Sequence, residues 1–314
     1  MYFYFNFKIK LGGILLARNR DKIGSLTYQV KSALDEKLAI GESKHFDKLN
    51  GGIQDKIYSW NTYRSYLKHN IYFVKWAKEI HGSRTLDECR PYVDEWLMKR
   101  SDEGLSPYTQ KLEASALAKM YSCSTKDFIK TDVRHRSDIS RSRGEKIRDK
   151  HFSESRNKEF IDFCKCTGLR RAELKALTGN KLIFRDSKPY IIVNKGSKGG
   201  RYREVPVIGD KQAVIDRMKA VGSNRVFDKI PNGADVHGYR SEYANDLYNL
   251  LARPIESIPY DKLNTGSNKV YQSEVYHCRG DLKGVKYDKV AMLKVSKALG
   301  HNRISVIAGH YIRG

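Results

Sequence analysis

Tyr190-Ile191-Ile192-Val193 and Glu204-Val205-Pro206-Val207 are two short β-rich runs, and the segment Asn194-Lys195-Gly196-Ser197-Lys198-Gly199-Gly200 between them is crowded with glycine and lysine. This pattern predicts a β-hairpin with a mobile, basic tip. It stands in a helical setting. Upstream, Asn157 to Cys166 puts Phe160, Ile161 and Cys164 on one helical face, Thr167-Gly168-Leu169 breaks that helix, and Arg171 to Leu177 resumes one. Downstream, helices are predicted over Lys211 to Val221, Arg240 to Leu251 and Val290 to Leu299. The expected fold class is mainly α with a small antiparallel β-sheet, an α+β arrangement.

Working outward, Arg134-His135-Arg136-Ser137-Asp138-Ile139-Ser140-Arg141-Ser142-Arg143-Gly144 is almost without apolar residues and cannot form a core. It marks the best domain boundary. Two readings stand: a solvated linker, or a strap of Arg134, Arg136, Arg141 and Arg143 lying against a phosphate backbone. Before it, Trp60, Tyr63, Leu67, Ile71 and Val74 share one helical face, a second helix is expected over Tyr92 to Met98, and a third opens at Ser106-Pro107, where Ser caps and Pro fills the first turn. The expected division is residues 1–52 as a separate N-terminal segment, 53–133 as a helical domain, 134–150 as a basic linker and 151–314 as a second domain. Within 1–52, Phe5, Phe7, Ile9 and Leu11 alternate with polar residues like a strand, and Ile23 to Leu38 reads as a helix.

The 314 residues carry 59 Lys+Arg against 36 Asp+Glu, a formal charge of +23. The surplus is spread as +4, +6 and +13 over residues 1–50, 51–150 and 151–314. A chain charged along its whole length is suited to one extended polyanion. A membrane is not the expected partner, because the most apolar stretch, Met1 to Ala17, is broken by Asn6, Lys8, Lys10 and Gly12-Gly13 and does not read as a signal peptide. The expected location is cytoplasmic. Cys89, Cys123, Cys164, Cys166 and Cys278 are odd in number and scattered, so neither a disulfide framework nor a metal site is expected.

The candidate chemistry lies in five places. Thr167-Gly168-Leu169-Arg170-Arg171-Ala172-Glu173-Leu174 puts Arg170 at a helix start after a glycine turn, where a guanidinium and free N–H groups converge on one anion. His237-Gly238-Tyr239-Arg240 sets His237 and Arg240 one helical turn apart. Lys198 at the hairpin tip, His301 in Leu299-Gly300-His301, and Tyr311 complete the set.

Taken in chain order, these residues resemble the tyrosine recombinases, the phage integrase family, over about residues 55 to 314. The resemblance implies a helical, SAM-like core-binding domain followed by a catalytic domain. It implies that Tyr311 attacks a DNA phosphodiester to form a 3′-phosphotyrosine, with neither cofactor nor metal. Arg170 and Arg240 are then expected to hold the non-bridging oxygens, Lys198 to protonate the leaving 5′-oxygen, His237 to assist proton removal from Tyr311, and His301 to donate to the phosphate. Glu173 is expected to orient Arg170. Arg134, Arg136, Arg141, Arg143, Lys195 and Arg201 are expected DNA contacts. Lys195 also lies in the hairpin turn, but counting back eight from Pro206 favours Lys198 as the catalytic lysine. The implied partners are double-stranded attachment-site DNA, three further copies in a homotetramer on two sites, and a directionality or host bending factor, in a bacterial nucleoid. The resemblance does not reach residues 1–52, which from their net positive charge and strand-like Phe5 to Leu11 are expected to be an arm-site DNA reader or an accessory segment.

Three departures from the family pattern stand out. Tyr311 is tenth after His301 where ninth is usual. Sixty residues separate Arg240 from His301, and Arg253 to Lys289 reads as a surface insertion whose His277-Cys278-Arg279 is non-catalytic. Three residues follow Tyr311, so either assembly uses another contact or the native chain is longer. A type IB topoisomerase, a DNA-binding protein without activity and a basic RNA-binding protein are the alternatives.

Overall fold

The computed structural model describes residues 24–51, 55–135, 152–196, 202–258, 274–301 and 303–312. The strand-like run Phe5 to Leu11, and Arg136, Arg141, Arg143, Lys198 and Arg201, lie outside them. The chain divides after Arg134 into two compact units.

In the first unit, helices α1 (Leu26–Asp35), α3 (Trp60–His81), α5 (Val93–Asp102) and α6 (Pro107–Met120) surround one core, with short α2 (Lys44–Leu49) and α4 (Leu86–Cys89) between them. Serine side chains start four of these helices: Ser25, Ser43, Ser59 and Ser106 accept from the N–H of Tyr28, Phe46, Thr62 and Thr109, satisfying donors that the first turn leaves open. Val30 and Leu34 of α1 are fully buried with Phe73, Val74, Trp96 and Leu117 in a single cluster. A parallel bridge between Leu38 and Ile57 ties the end of α1 to the approach to α3. The structure therefore differs from the expected boundary at residue 52: residues 26–35 are built into the helical core. Their apolar spacing of four was a core-facing stripe, which periodicity cannot assign to a particular neighbour.

The second unit contains α7 (Lys158–Thr167), α8 (Arg171–Ala176), strands β1 (Leu182–Arg185), β2 (Lys188–Val193) and β3 (Arg203–Pro206), then α9 (Lys211–Val221) and α10 (Val236–Leu251). It closes with strands β4 (Val275–His277) and β5 (Lys286–Asp288) and helices α11 (Lys289–Ala298) and α12 (Ile304–His310). The expected hairpin is β2–β3, antiparallel with Ile191 opposite Val205 and Val193 opposite Arg203, and β1 adds a third strand that the sequence reading did not expect. Among the described residues the fold is thus mainly helical with two small antiparallel sheets.

The second correction concerns Arg253 to Lys289. The described part is not a surface insertion: Val275, Cys278 and Tyr287 are buried. Asp288, 1% exposed, caps α11 and takes the Arg253 guanidinium on both oxygens at 2.8 and 2.9 Å. Arg253 holds the Asp288 carboxyl well below the usual carboxylate range despite desolvation. Three-residue strands are too short to show alternation, which hid this sheet from the sequence.

Candidate active site

Three local devices place the site's side chains. The first is the turn after α7. Gly168 adopts a left-handed φ of 58°, and a Cβ there would come within 2.2 Å of the Tyr243 ring on α10. Only glycine lets the chain turn so close. Arg170 then stands extended at the start of α8, its N–H donating to Glu173 Oε2 at 2.7 Å. That is the acidic half of a capping box. The Arg170 guanidinium donates to Glu173 Oε1 and to the Leu299 carbonyl, both at 2.8 Å, and its side chain is 24% exposed.

The second device is the end of α11. Gly300 has φ of 66°, its N–H donates to Lys297 O at 2.9 Å, and the His301 N–H donates to Ser296 O at 2.8 Å. This pair of bonds is a Schellman motif, so Leu299-Gly300-His301 is a helix terminus that delivers the histidine in a fixed direction. The third device joins α10 to the residue that follows α12. Arg240 on α10 is 2% exposed and donates from Nη1 to Gly168 O, from Nη2 to Leu299 O, and from Nε to Tyr311 Oη at 3.4 Å. Tyr311 follows directly on α12 and is 5% exposed.

Around the Tyr311 hydroxyl the geometry is specific. His301 Nε2 lies 3.2 Å from Oη, and the ring of His237 meets the Tyr311 ring edge-on at 5.7 Å between centroids. A phenol that accepts from Arg240 Nε donates to an unprotonated His301 Nε2. The electrostatics favour that state. Burial, then the charges of Arg240, Arg170 and Arg203, push the His301 pKa down to about 4, so the ring is neutral at physiological pH. Burial lowers the Arg240 pKa to about 10, which still leaves it charged there. Burial pushes the Glu173 carboxyl up, but the bonds and charges of Arg203 and Arg170 together outweigh it and the net displacement is downward.

The structure thus brings together Arg170, Glu173, His237, Arg240, His301 and Tyr311 from four separate stretches of chain. Lys195 is exposed just beyond β2. At the neighbouring Gly196, φ of 72°, a Cβ would lie 2.5 Å from the Ala172 carbonyl, so the base of the hairpin tip is pressed against α8. Arg134 is exposed at the end of the first unit, its guanidinium 5.1 Å from the centroid of the Tyr108 ring. His277, Cys278 and Arg279 line a cavity of about 770 Å³ with Ser305, Ala308 and Gly309. No group of three His, Cys, Asp or Glu side chains that could hold a metal occurs among the described residues, and none of their helices is long and apolar enough to cross a membrane.

One site residue escaped the sequence reading. Arg203 is 8% exposed and donates from Nη1 and Nη2 to the two Glu173 oxygens at 2.9 and 2.7 Å, and from Nε to Ala298 O at 2.8 Å. Its signal was present: two residues before Val205 on a strand, it points to the same inward face.

Among solved structures, the chain is similar to the Tn1549 transposon integrase in complex with circular intermediate DNA, at 13% identity over 93% of this chain and 96% of that chain, with a TM-score of 0.47. It is similar also to the XerH site-specific recombinase bound to palindromic difH substrate in a post-cleavage complex, at 15% identity over 92% of this chain and 91% of that one, TM-score 0.47. No family model and no curated protein matches the chain.

Proposed function

We propose that this chain is a site-specific DNA recombinase of the tyrosine recombinase kind, an integrase of a bacteriophage or other bacterial mobile element. One observation carries the reading: the Tyr311 hydroxyl lies between Arg240 Nε and His301 Nε2, at the edge of a cluster in which guanidinium groups outnumber carboxylates. A phenol so placed is a nucleophile waiting for a phosphate.

In the reaction, Tyr311 Oη forms a bond to the scissile phosphorus and the bond to the 5′-oxygen breaks. His237 assists removal of the phenolic proton, and Lys198 supplies a proton to the departing 5′-hydroxyl. Arg170, the more exposed of the two guanidinium groups, meets the phosphate first, and Arg240 stabilises the added negative charge from the buried side. His301 donates to a non-bridging oxygen from whichever ring nitrogen carries its hydrogen once Tyr311 has turned to the phosphorus. Glu173 orients Arg170. The phosphotyrosine conserves the bond energy, so a second strand's 5′-hydroxyl can reverse the step without ATP.

Residues 53–133, with α1 packed into the same core, serve as the core-binding domain, 134–150 as a DNA-crossing linker and 151–314 as the catalytic domain. Arg134, Arg136, Arg141, Arg143, Lys195 and Arg201 neutralise phosphates. The working assembly is a homotetramer on two attachment sites, aided by a directionality or bending factor in the nucleoid.

The test is a nicked suicide duplex carrying the ends of the chain's own element, incubated without metal or ATP and then denatured. A protein–DNA adduct is expected from the native chain and none from Tyr311→Phe. Tight, salt-sensitive binding with no adduct on those ends would overturn the enzymatic reading in favour of a binding protein.

A further inference from the structure

We propose that Arg203 is a positioning residue for strand cleavage: it neutralises Glu173 and braces the turn before His301, so that Arg170 meets the phosphate unopposed. The inference rests on the recombinase reading above. Its basis is the way two guanidinium groups share one carboxylate and three share one helix end. The Arg203 guanidinium takes both oxygens of Glu173, whereas the Arg170 guanidinium takes only Oε1, beside the bond from the Arg170 backbone N–H to Oε2. The α11 terminus is divided likewise: Arg203 caps Ala298 O, and Arg170 and Arg240 both cap Leu299 O. Carbonyls at a helix C-terminus are unpaired and carry the negative end of its dipole, so guanidinium groups are their natural partners.

Arg203 cannot itself reach a bound phosphate, since all three of its nitrogens are engaged inside the protein and the residue is 8% exposed. What it changes is the charge that Arg170 presents. With Arg203 present, Glu173 belongs to a neutral pair, and Arg170 keeps most of its charge for an incoming anion. Without Arg203, an ionised buried carboxylate has only Arg170 as its counter-ion, and it opposes the scissile phosphate as a like charge in a medium of low polarity. The second contact is steric. A Cβ on Gly300 would lie 3.2 Å from both Cδ and Nη1 of Arg203, so the guanidinium rests against the residue that turns the chain toward His301. Because Arg203 lies on β3, one side chain joins the hairpin to the arginine helix and to the histidine turn.

The groups facing His301 are Arg240, Arg170, Arg203, His310 and Tyr311. Two readouts are therefore available, one catalytic and one independent of catalysis. Adduct formation is measured at saturating DNA in a single turnover, with DNA affinity measured separately, for native chain, Arg203→Gln and Arg203→Lys. The His301 ring is titrated by NMR in the native chain and Arg203→Gln. Arg203→Gln is expected to lower the single-turnover rate roughly 100-fold while changing affinity less than about threefold, with Arg203→Lys recovering part of the rate. The His301 midpoint is expected to rise on loss of the nearby cation. An unchanged rate per folded molecule, or a loss confined to affinity, would overturn the proposal. Should Arg203→Gln fail to fold, a native rate in Arg203→Lys would overturn it equally. If the native chain forms no adduct, the recombinase reading fails by itself, and an unmoved His301 titration would then remove the positioning role as well.

Discussion

Each unit of this protein buries a glutamate among cations, and the two clusters are balanced differently. In the helical unit, Glu113 is fully buried and accepts from Trp96 Nε1 at 3.1 Å, His69 Nδ1 at 3.0 Å and Arg100 Nε at 3.1 Å. Arg100 is shared in turn with Glu103. Charge there is closed on itself: one guanidinium serves two carboxylates. Around Glu173 the ratio is reversed, with Arg170 and Arg203 on one carboxylate, and Arg240 tied to carbonyls and to Tyr311. A buried surplus of positive charge is costly in a free protein, and its natural complement is an anionic ligand. The first cluster holds a core together. The second carries the surplus that the proposed phosphate would neutralise.

The largest expected effect separates the two clusters by rate. Arg240→Ala removes the buried guanidinium beside the nucleophile and is expected to lower adduct formation on the order of 10³-fold, whereas Glu113→Gln leaves the rate per folded molecule unchanged. Stability should divide the opposite way. Glu113→Ala strands Arg100 and Trp96 and is expected to cost roughly 2–3 kcal/mol in urea unfolding followed by tryptophan fluorescence. Equal effects of the two substitutions on rate would erase the distinction between the clusters.

The next effect concerns pH. The folded pKa of His301, about 4, lies below its ordinary 6.5, so the folded state disfavours its protonation. The associated stability is fully present above about pH 6.5 and is lost as pH falls toward 4. Melting temperatures followed between pH 7.5 and 4 should therefore fall more for the native chain than for His301→Asn. Parallel curves would show that the ring is not held neutral by its surroundings. The smallest effect lies outside both clusters. Arg134→Ala should weaken DNA binding a few-fold and reduce the slope of log affinity against log salt by about one. An unchanged slope would remove Arg134 from the DNA contacts.

Much of the second unit could be read from sequence because its signals are local. Thr167-Gly168-Leu169 and Leu299-Gly300-His301 are helix ends whose glycines have left-handed φ, and such signals depend on a few adjacent residues. The β2–β3 hairpin was legible for the same reason. Arg203 was not, since an arginine in a four-residue strand reads as a surface residue until its partner Glu173, distant in sequence, is known. The incorporation of α1 into the first core, and of β4 and β5 into the second, depended on neighbours that no local pattern identifies. Tyr311 was found by order along the chain. The bonds to Arg240 and His301 emerged only from the packing of α11 against α10 and α12.

The most direct measurement is to locate the DNA-linked residue. After trapping on a nicked duplex, the protein is digested and the peptide carrying the nucleotide is sequenced by mass spectrometry. The account requires a phosphodiester on Tyr311, on the peptide containing Ile307 and Ile312. A nucleotide on any other residue would contradict it, as would an adduct persisting in Tyr311→Phe.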